Sequence, residues 1–255
     1  MKREKQERKR WFRLWLIAAV CVVLAALWGV TRHGYFIRHL NPAEWPLLAR
    51  GVYRSDPQRG IVRQGPANVQ AVALTFDDGP GDTTEDLLRI LKKHNAKATF
   101  FLVGMNVKQR PELARLIVAE GHQVASHSRS HPDMTRLRDD QIPKELAAAS
   151  YILARDAGVR VRAFRPPGGQ YDERVLRAAK EQGLLTVLWS NNTGDYTVKN
   201  PAWITQRTLS NVQNGDIILL HENQPHTVQA LPAILEGLEK KGYKAVTVDE
   251  LLAPR

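Results

Sequence analysis

From residue 68 onward the chain alternates between two apolar patterns. Short, nearly unbroken apolar runs read as strands buried on both faces. They cover residues 71–74, 97–103, 122–126, 161–164, 184–189, 217–220 and 244–248. Between them lie longer stretches with apolar residues three and four apart, the spacing of one helix face. These cover residues 84–93, 111–121, 139–157, 172–182, 201–212 and 228–241. Thr83 or Thr84 is placed to cap the first helix, whose first turn carries Glu85 and Asp86 against the helix dipole. The second has Pro111 early and Gly121 at its end. Seven strands alternating with six helices predict a parallel α/β barrel, distorted and incompletely closed, a (β/α)7 arrangement. No internal repeat or low-complexity tract interrupts it.

Polar groups stand where the apolar strands stop. The first strand runs into Thr75-Phe76-Asp77-Asp78-Gly79-Pro80. Two adjacent carboxylates are costly in a partly dry site, because like charges that close resist joint ionisation. A metal ion removes the conflict: one carboxylate ligates it and the other stays free as a base. Imidazoles to complete such a site follow at His127 and His131, in His127-Ser128-Arg129-Ser130-His131. An i, i+4 pair falls on one side of a helical turn or of a loop with similar curvature. Two His and one carboxylate leave coordination positions open, as catalytic sites do. Imidazole suits zinc, and also cobalt, nickel or iron. His122 reads as a bystander beside its strand, and His94 as a cation at a helix C-terminus. Further polar groups end other strands. Arg165 precedes the turn Pro166-Pro167-Gly168-Gly169, Asp195 and Tyr196 lie in the polar loop after Trp189, and His221 closes the run at 216–221. Side chains alternate along a strand, so Leu219 and His221 point the same way. In a parallel barrel such strand ends converge on one face, where active sites sit.

These five segments together resemble the polysaccharide deacetylases of carbohydrate esterase family 4, the nodulation-protein-B-like domain. The resemblance runs from about Asn68 to the C-terminus. Thr75 to Pro80 matches the family's first motif, His127 to His131 the second and Arg165 to Gly169 the third. Asp195-Tyr196 resembles the fourth and Leu219-Leu220-His221 the fifth. Two positions depart from the pattern: Gly168 stands where the family often has an aromatic residue, and Tyr196 where Trp is common. Both bear on substrate fit, and neither removes a titrating group.

The resemblance implies metal-dependent removal of N-acetyl groups from an acetylated glycan, with peptidoglycan or a related N-acetylglucosamine polymer the favoured substrate. Asp78, His127 and His131 would hold one divalent metal, zinc first, with cobalt, nickel, iron or manganese as alternatives. Asp77 would be the base and His221 the acid, with Arg165 orienting Asp77 and Asp195 orienting His221. Gly168 would offer a backbone N–H to the oxyanion. Tyr196 and Leu219 would line the substrate pocket. Other readings are an O-acetyl esterase on xylan-like glycans and a non-catalytic glycan-binding relative. A serine hydrolase lacks its Gly-x-Ser-x-Gly elbow.

The N-terminal part sets the expected location. Residues 1–13 hold seven Lys/Arg and two Glu, +5 of the formal +11. Residues 14–30 form a charge-free run of 17, with Trp11, Trp15 and Trp28 flanking or entering it. That length is just enough for one transmembrane helix, and the basic flank places the N-terminus in the cytoplasm. A membrane-anchored protein with an extracytoplasmic catalytic domain is expected, the alternative being a secreted one after signal cleavage. Residues 31–67 read as a connecting segment partly packed on the barrel. Cys21, the only cysteine, lies in the apolar run, so the catalytic domain at 68–255 has no disulfide and no thiol chemistry. The remaining +6 is dispersed over the outer region. No nucleic-acid-reading module appears, and a monomer is expected.

Overall fold

The computed structural model describes residue 56 and residues 59–253. The basic flank, the 14–30 run and most of the 31–67 segment lie outside the described residues. Among the described residues no helix is long and apolar enough to cross a membrane.

Nine strands are described: β1 (Ile61–Val62), β2 (Ala71–Gly79), β3 (Thr99–Leu102), β4 (Gln123–Ser126), β5 (Ala163–Phe164), β6 (Leu185–Val187), β7 (Asn191–Asn192), β8 (Ile217–His221) and β9 (Lys244–Val246). Eight α-helices accompany them: α1 (Thr84–Lys93), α2 (Gly104–Gln109), α3 (Pro111–Ala119), α4 (Gln141–Ile152), α5 (Glu173–Glu181), α6 (Pro201–Asn211), α7 (Pro225–Lys240) and α8 (Val248–Leu252). All strand pairings are parallel, in the order β1-β6-β5-β4-β3-β2-β8-β7, with β9 beside the start of β2. The sheet curls into an open barrel. At its base an antiparallel bridge joins Gln64 to Asp216, and the Gly65 N–H donates to the Gly215 carbonyl at 2.7 Å. Gly215 has φ +76°, and a Cβ there would stand 2.7 Å from the Gly65 oxygen, so this approach of two backbones requires glycine.

Strand alternation divides the core. Val72, Leu74 and Phe76 of β2 face outward with Phe100 and Leu102, and pack under Leu87, Leu91, Ile117, Leu231 and Ile234 of the helices. Ala71 and Ala73 face inward with Phe101, Ala125, Ala163, Val187 and Ile217, and α8 contributes Val248 and Leu251 to this inner cluster. The inner row is where the chemistry continues. Residues 75 and 77 extend the 71, 73 row, 127 extends 125, 165 extends 163, and 221 extends 217, 219. Apolar positions fill the base of the barrel and polar ones its mouth.

All seven expected strands and six expected helices form. The last strand is shorter than expected: β9 stops at Val246, and Val248 begins α8 instead. The reason is local. Thr247 Oγ1 accepts from the Glu250 N–H and Glu250 accepts from the Thr247 N–H, a complete capping box. Neither Thr83 nor Thr84 caps α1 with its side chain. Both hydroxyls accept from other backbone groups, Thr83 Oγ1 from Asn223 at 2.8 Å and Thr84 Oγ1 from Gly81 at 2.8 Å. The long 139–157 stretch forms α4 and a π-helical turn at Leu153–Ala157, ended by Gly158 at φ 72°. β1 lies within the expected connecting segment, buried and hydrogen-bonded to β6. The elements missed in the sequence are short or polar: β1, β7, α2 and α8.

Candidate active site

β2 delivers two consecutive carboxylates to one place, which a regular strand cannot do. Asp77 belongs to the inner row; Asp78, by alternation, would face the helices. Between Asp77 and Gly79 the register against β3 slips, and Asp78 takes a left-handed φ of 71°. Such an irregularity re-aims a side chain. Asp77 Oδ2 and Asp78 Oδ1 consequently both approach His127 Nε2, at 3.8 and 3.4 Å. The strained turn is held from outside: Asn106 Nδ2 donates to the Asp78 carbonyl at 2.9 Å.

The expected metal ligands come together. One ligand atom from each of Asp78, His127 and His131 lies within 4.8 Å of the others. The His pair sits on a loop, with Ser128 and His131 both left-handed (φ 65° and 60°). His127 Nδ1 donates to the Arg165 carbonyl at 2.8 Å. A carbonyl only accepts, so Nδ1 carries a proton and Nε2 is the ring nitrogen that faces Asp78. Asp78 Oδ1 is buried and receives no hydrogen bond. Two imidazole nitrogens converging on one buried carboxylate oxygen is an arrangement a cation satisfies. Burial works to raise the Asp78 carboxyl, but the flanking His127 and His131 outweigh it and hold it far below the usual carboxylate range. His131 is raised in turn, chiefly by its contact with Asp78 at 3.1 Å, against the opposing effect of burial. A bound cation would take the place of that proton.

Arg165 is fully buried beneath Asp77. Its Nη1 donates to Asp77 Oδ1 at 2.7 Å and to Thr75 Oγ1 at 2.8 Å; Nε and Nη2 donate to the carbonyls of Val187 and Leu188 at 3.1 and 2.9 Å. Its guanidinium stacks on Phe101, 4.0 Å from the ring centre. Burial disfavours its charge, and Asp77 opposes that loss. One Asp77 oxygen is thus occupied and the other faces the mouth.

His221 faces the same mouth from β8. Asp195 takes its Nδ1–H at 2.9 Å and its backbone N–H at 2.7 Å, leaving Nε2 free. Thr227 and Thr193 donate to the same carboxylate at 2.8 and 3.1 Å, and His226 Nε2 donates to the Asp195 carbonyl at 2.6 Å. Burial alone would lower His221; the buried Asp195 carboxylate outweighs it, and the imidazole is pushed up to about 9. Asp195 itself lies below the usual range despite its burial, because His221 and Thr227 bond its charged form.

The expected substrate-binding residues occupy the surroundings. Tyr196 is exposed, with its ring centre 5.1 Å from that of His221. Leu219 is buried two residues before His221 on the inner row. Gly168, at φ 61°, is exposed on the turn that follows Arg165, with only Gln170 near where a Cβ would stand. His122 is a bystander: it is buried, accepts from the Ala98 N–H at 3.2 Å, and is pushed down to about 4 by burial and then by Lys97. His94 caps the C-terminus of α1. Reading the sequence missed the supporting groups: Thr75, Asn106, Glu145, Thr193, Glu222, His226 and Thr227. Only Thr75 and Glu222 carried a local signal, as polar residues at the ends of apolar strands.

The family model described as "Polysaccharide deacetylase" matches residues 64–187. A peptidoglycan-N-acetylglucosamine deacetylase of Bacillus cereus is 35% identical over 203 residues, which cover 77% of this chain and 95% of that protein. A solved peptidoglycan N-acetylglucosamine deacetylase in complex with an N-oxidanyl-benzamide superposes with a TM-score of 0.75 at 36% identity, covering 77% of this chain and 94% of the other. A carbohydrate esterase family 4 pseudoenzyme from Bacillus anthracis superposes with a TM-score of 0.73 at 32% identity, covering 76% and 69%.

Proposed function

This chain belongs to the polysaccharide deacetylase family, carbohydrate esterase family 4, and we propose that it removes N-acetyl groups from N-acetylglucosamine residues of peptidoglycan or a related extracytoplasmic glycan. One observation carries the reading: two groups with opposite proton-transfer tasks flank a single metal-ligand triad. Asp77 is paired with Arg165 yet keeps one free oxygen, and His221 is charged by Asp195 yet keeps Nε2 free. Amide hydrolysis needs both, because water must lose a proton as it attacks and an amine cannot leave as an anion.

A divalent cation held by Asp78, His127 and His131, zinc before cobalt, nickel, iron or manganese, would polarise the acetyl carbonyl and acidify a bound water. Asp77 Oδ2 accepts the proton of the attacking water. Arg165 fixes Asp77 from below. His221 Nε2 gives its proton to the departing nitrogen as the C–N bond breaks, releasing acetate and a free amine. Asp195 holds the imidazole in orientation and favours its charged form. The Gly168 N–H serves the oxyanion, and Leu219 and Tyr196 bound the acetyl methyl group. The charge-free 14–30 run supports a single-pass anchor that tethers the domain outside the cell beside the wall.

The likeness to a pseudoenzyme motivates a second reading, a non-catalytic glycan-binding protein. Against it stands the full set of acid, base and ligand groups. Acetate release decides between them. Peptidoglycan, an N-acetylglucosamine polymer and acetylxylan would be offered to the protein with and without chelator. Chelator-sensitive release from the N-acetylated glycans is expected, and Asp78→Ala should lose metal and activity together. Release from acetylxylan alone would make it an O-acetyl esterase. No release from any substrate, with metal bound, would leave the binding reading.

A further inference from the structure

We propose that Glu145 is the positioning residue for His131 and thereby sets how tightly the chain holds its metal, an inference that rests on reading Asp78, His127 and His131 as ligands. The two histidines are anchored very differently. His127 follows directly from β4: its N–H donates to the Leu102 carbonyl at 2.9 Å and its ring is tied to the Arg165 carbonyl. His131 stands four residues further along a loop, its side chain is 43% exposed, and its backbone is left-handed. From the sheet it is met only at its ring, by its fellow ligand Asp78 at 3.1 Å, among the described residues.

The loop is instead gripped from two helices. Its carbonyls are satisfied by the start of α2, where the Gly104 and Met105 N–H groups donate to Ser128 and Arg129 at 3.0 and 2.8 Å. Its donors converge on one carboxylate of α4. Glu145 Oε1 accepts from the Ser130 N–H at 2.6 Å and from the Ser130 hydroxyl at 2.7 Å, and Oε2 accepts from Arg129 Nε at 3.1 Å. Ser130 is the residue before His131. Within the loop, the His131 N–H donates to Ser128 Oγ at 3.0 Å.

Glu145 is an unexpected residue for its position. It lies on the buried stripe of α4 with Ile142, Leu146, Ala149 and Ile152, and only 7% of it is exposed. An apolar side chain would complete that stripe, and a buried carboxylate is costly unless fully bonded. It is bonded, by charge-assisted hydrogen bonds from Ser130 and Arg129 of the loop. Left-handed backbone at Ser128 and at His131 persists only where the surroundings over-determine it. Glu145 is the group that over-determines it next to His131. Without its two oxygens the Ser130 N–H has no acceptor, the loop relaxes, and His131 no longer stands ready opposite Asp78. His127 and the Asp77–Arg165 pair would keep their places.

The test is cobalt(II) titration of the full chain in detergent after chelator treatment, read by visible absorption and calorimetry, with near-ultraviolet circular dichroism as the check on folding. Glu145→Ala should weaken cobalt binding by about 10- to 100-fold, the range typical when a group that orients a ligand is removed. Glu145→Gln keeps one oxygen for the Ser130 N–H but loses the charge, and should weaken binding only several-fold. Should Glu145→Ala not fold, Glu145→Gln and Ser130→Ala carry the test, each expected to weaken binding several-fold. Wild-type affinity and spectrum in the folded variants would overturn the proposal while leaving the metal site intact. Failure of the wild-type chain to bind cobalt would instead overturn the ligand reading on which the proposal rests.

Discussion

Glu222 offers the most demanding test of the electrostatics at the mouth. It follows His221 at the end of β8, only 1% exposed, and its N–H donates to the Asp77 carbonyl at 2.9 Å. Its carboxyl lies under the turn after Asp78. Oε2 meets the Thr84 hydroxyl, Oε1 has no donor, and a Cβ on Gly79 would come 1.5 Å from Oε1. Among the described residues no cation is paired with it. Burial pushes the group up to about 8, with the charge of Asp78 adding and the Thr84 hydroxyl opposing. Glu222 is therefore protonated in the folded state at neutral pH, whereas in the unfolded chain it ionises near 4.5. The folded state binds the extra proton, so stability from this group is full below 4.5 and is lost as pH rises toward 8. At ~1.4 kcal/mol per pKa unit the whole step is at most ~5 kcal/mol. Glu222→Gln mimics the neutral form and removes the step. In chelator-treated protein, thermal unfolding of wild type and variant should agree at about pH 4 and diverge as pH rises. By pH 8 the wild type should be lower by on the order of 10 °C, at ~2–4 °C per kcal/mol for a domain of this size. His221 and His122 also titrate in this range, but in both proteins, so the difference isolates Glu222. A cation beside Asp78 would favour the ionised form and shrink the divergence. Parallel curves across the range would refute the reasoning, and a variant less stable than wild type at pH 8 would mean that Glu222 is ionised and bonded there.

Two further outcomes follow from the site. Arg165→Lys keeps a charge but not the fork that serves Asp77, Thr75 and two carbonyls; it should cost ~2–4 kcal/mol in denaturant unfolding, from a weakened buried pair and unbonded carbonyls, and a loss below ~1 kcal/mol would contradict the assigned network. His221→Ala should cut hydrolysis of N-acetyl amides by ~10²–10⁴-fold, the usual worth of a general acid, while sparing activated aryl esters, whose phenolate leaves unprotonated; equal losses on both substrates would show that His221 does not protonate the leaving group.

Much of the fold was legible because burial on two faces makes a strand an unbroken apolar run and burial on one face makes a helix periodic. Those signals are local, and they located every strand that carries a site residue. They failed where they are weak. β7 is two asparagines, and β1 is two residues inside a proline-rich segment. At the last strand the apolar run continued through Val248, yet the capping pair Thr247 and Glu250, itself visible in the sequence, started a helix instead.

The sequence by itself determined the chemical inventory and its rough placement. Two carboxylates, two histidines, an arginine, an aspartate and a third histidine each stand where an apolar run stops, and parallel topology brings such ends to one mouth. The tertiary structure alone decided how they are used. Alternation predicts that Asp78 turns away from Asp77; the slipped register and left-handed φ turn it back. Glu145 and Thr227 look like ordinary helix residues in sequence, and only helix packing brings one to Ser130 and the other to Asp195. The charge states follow the same division. A side chain's ordinary pKa comes with its identity, but its displacement comes from water removed and partners supplied by segments tens of residues away, and no local pattern encodes those.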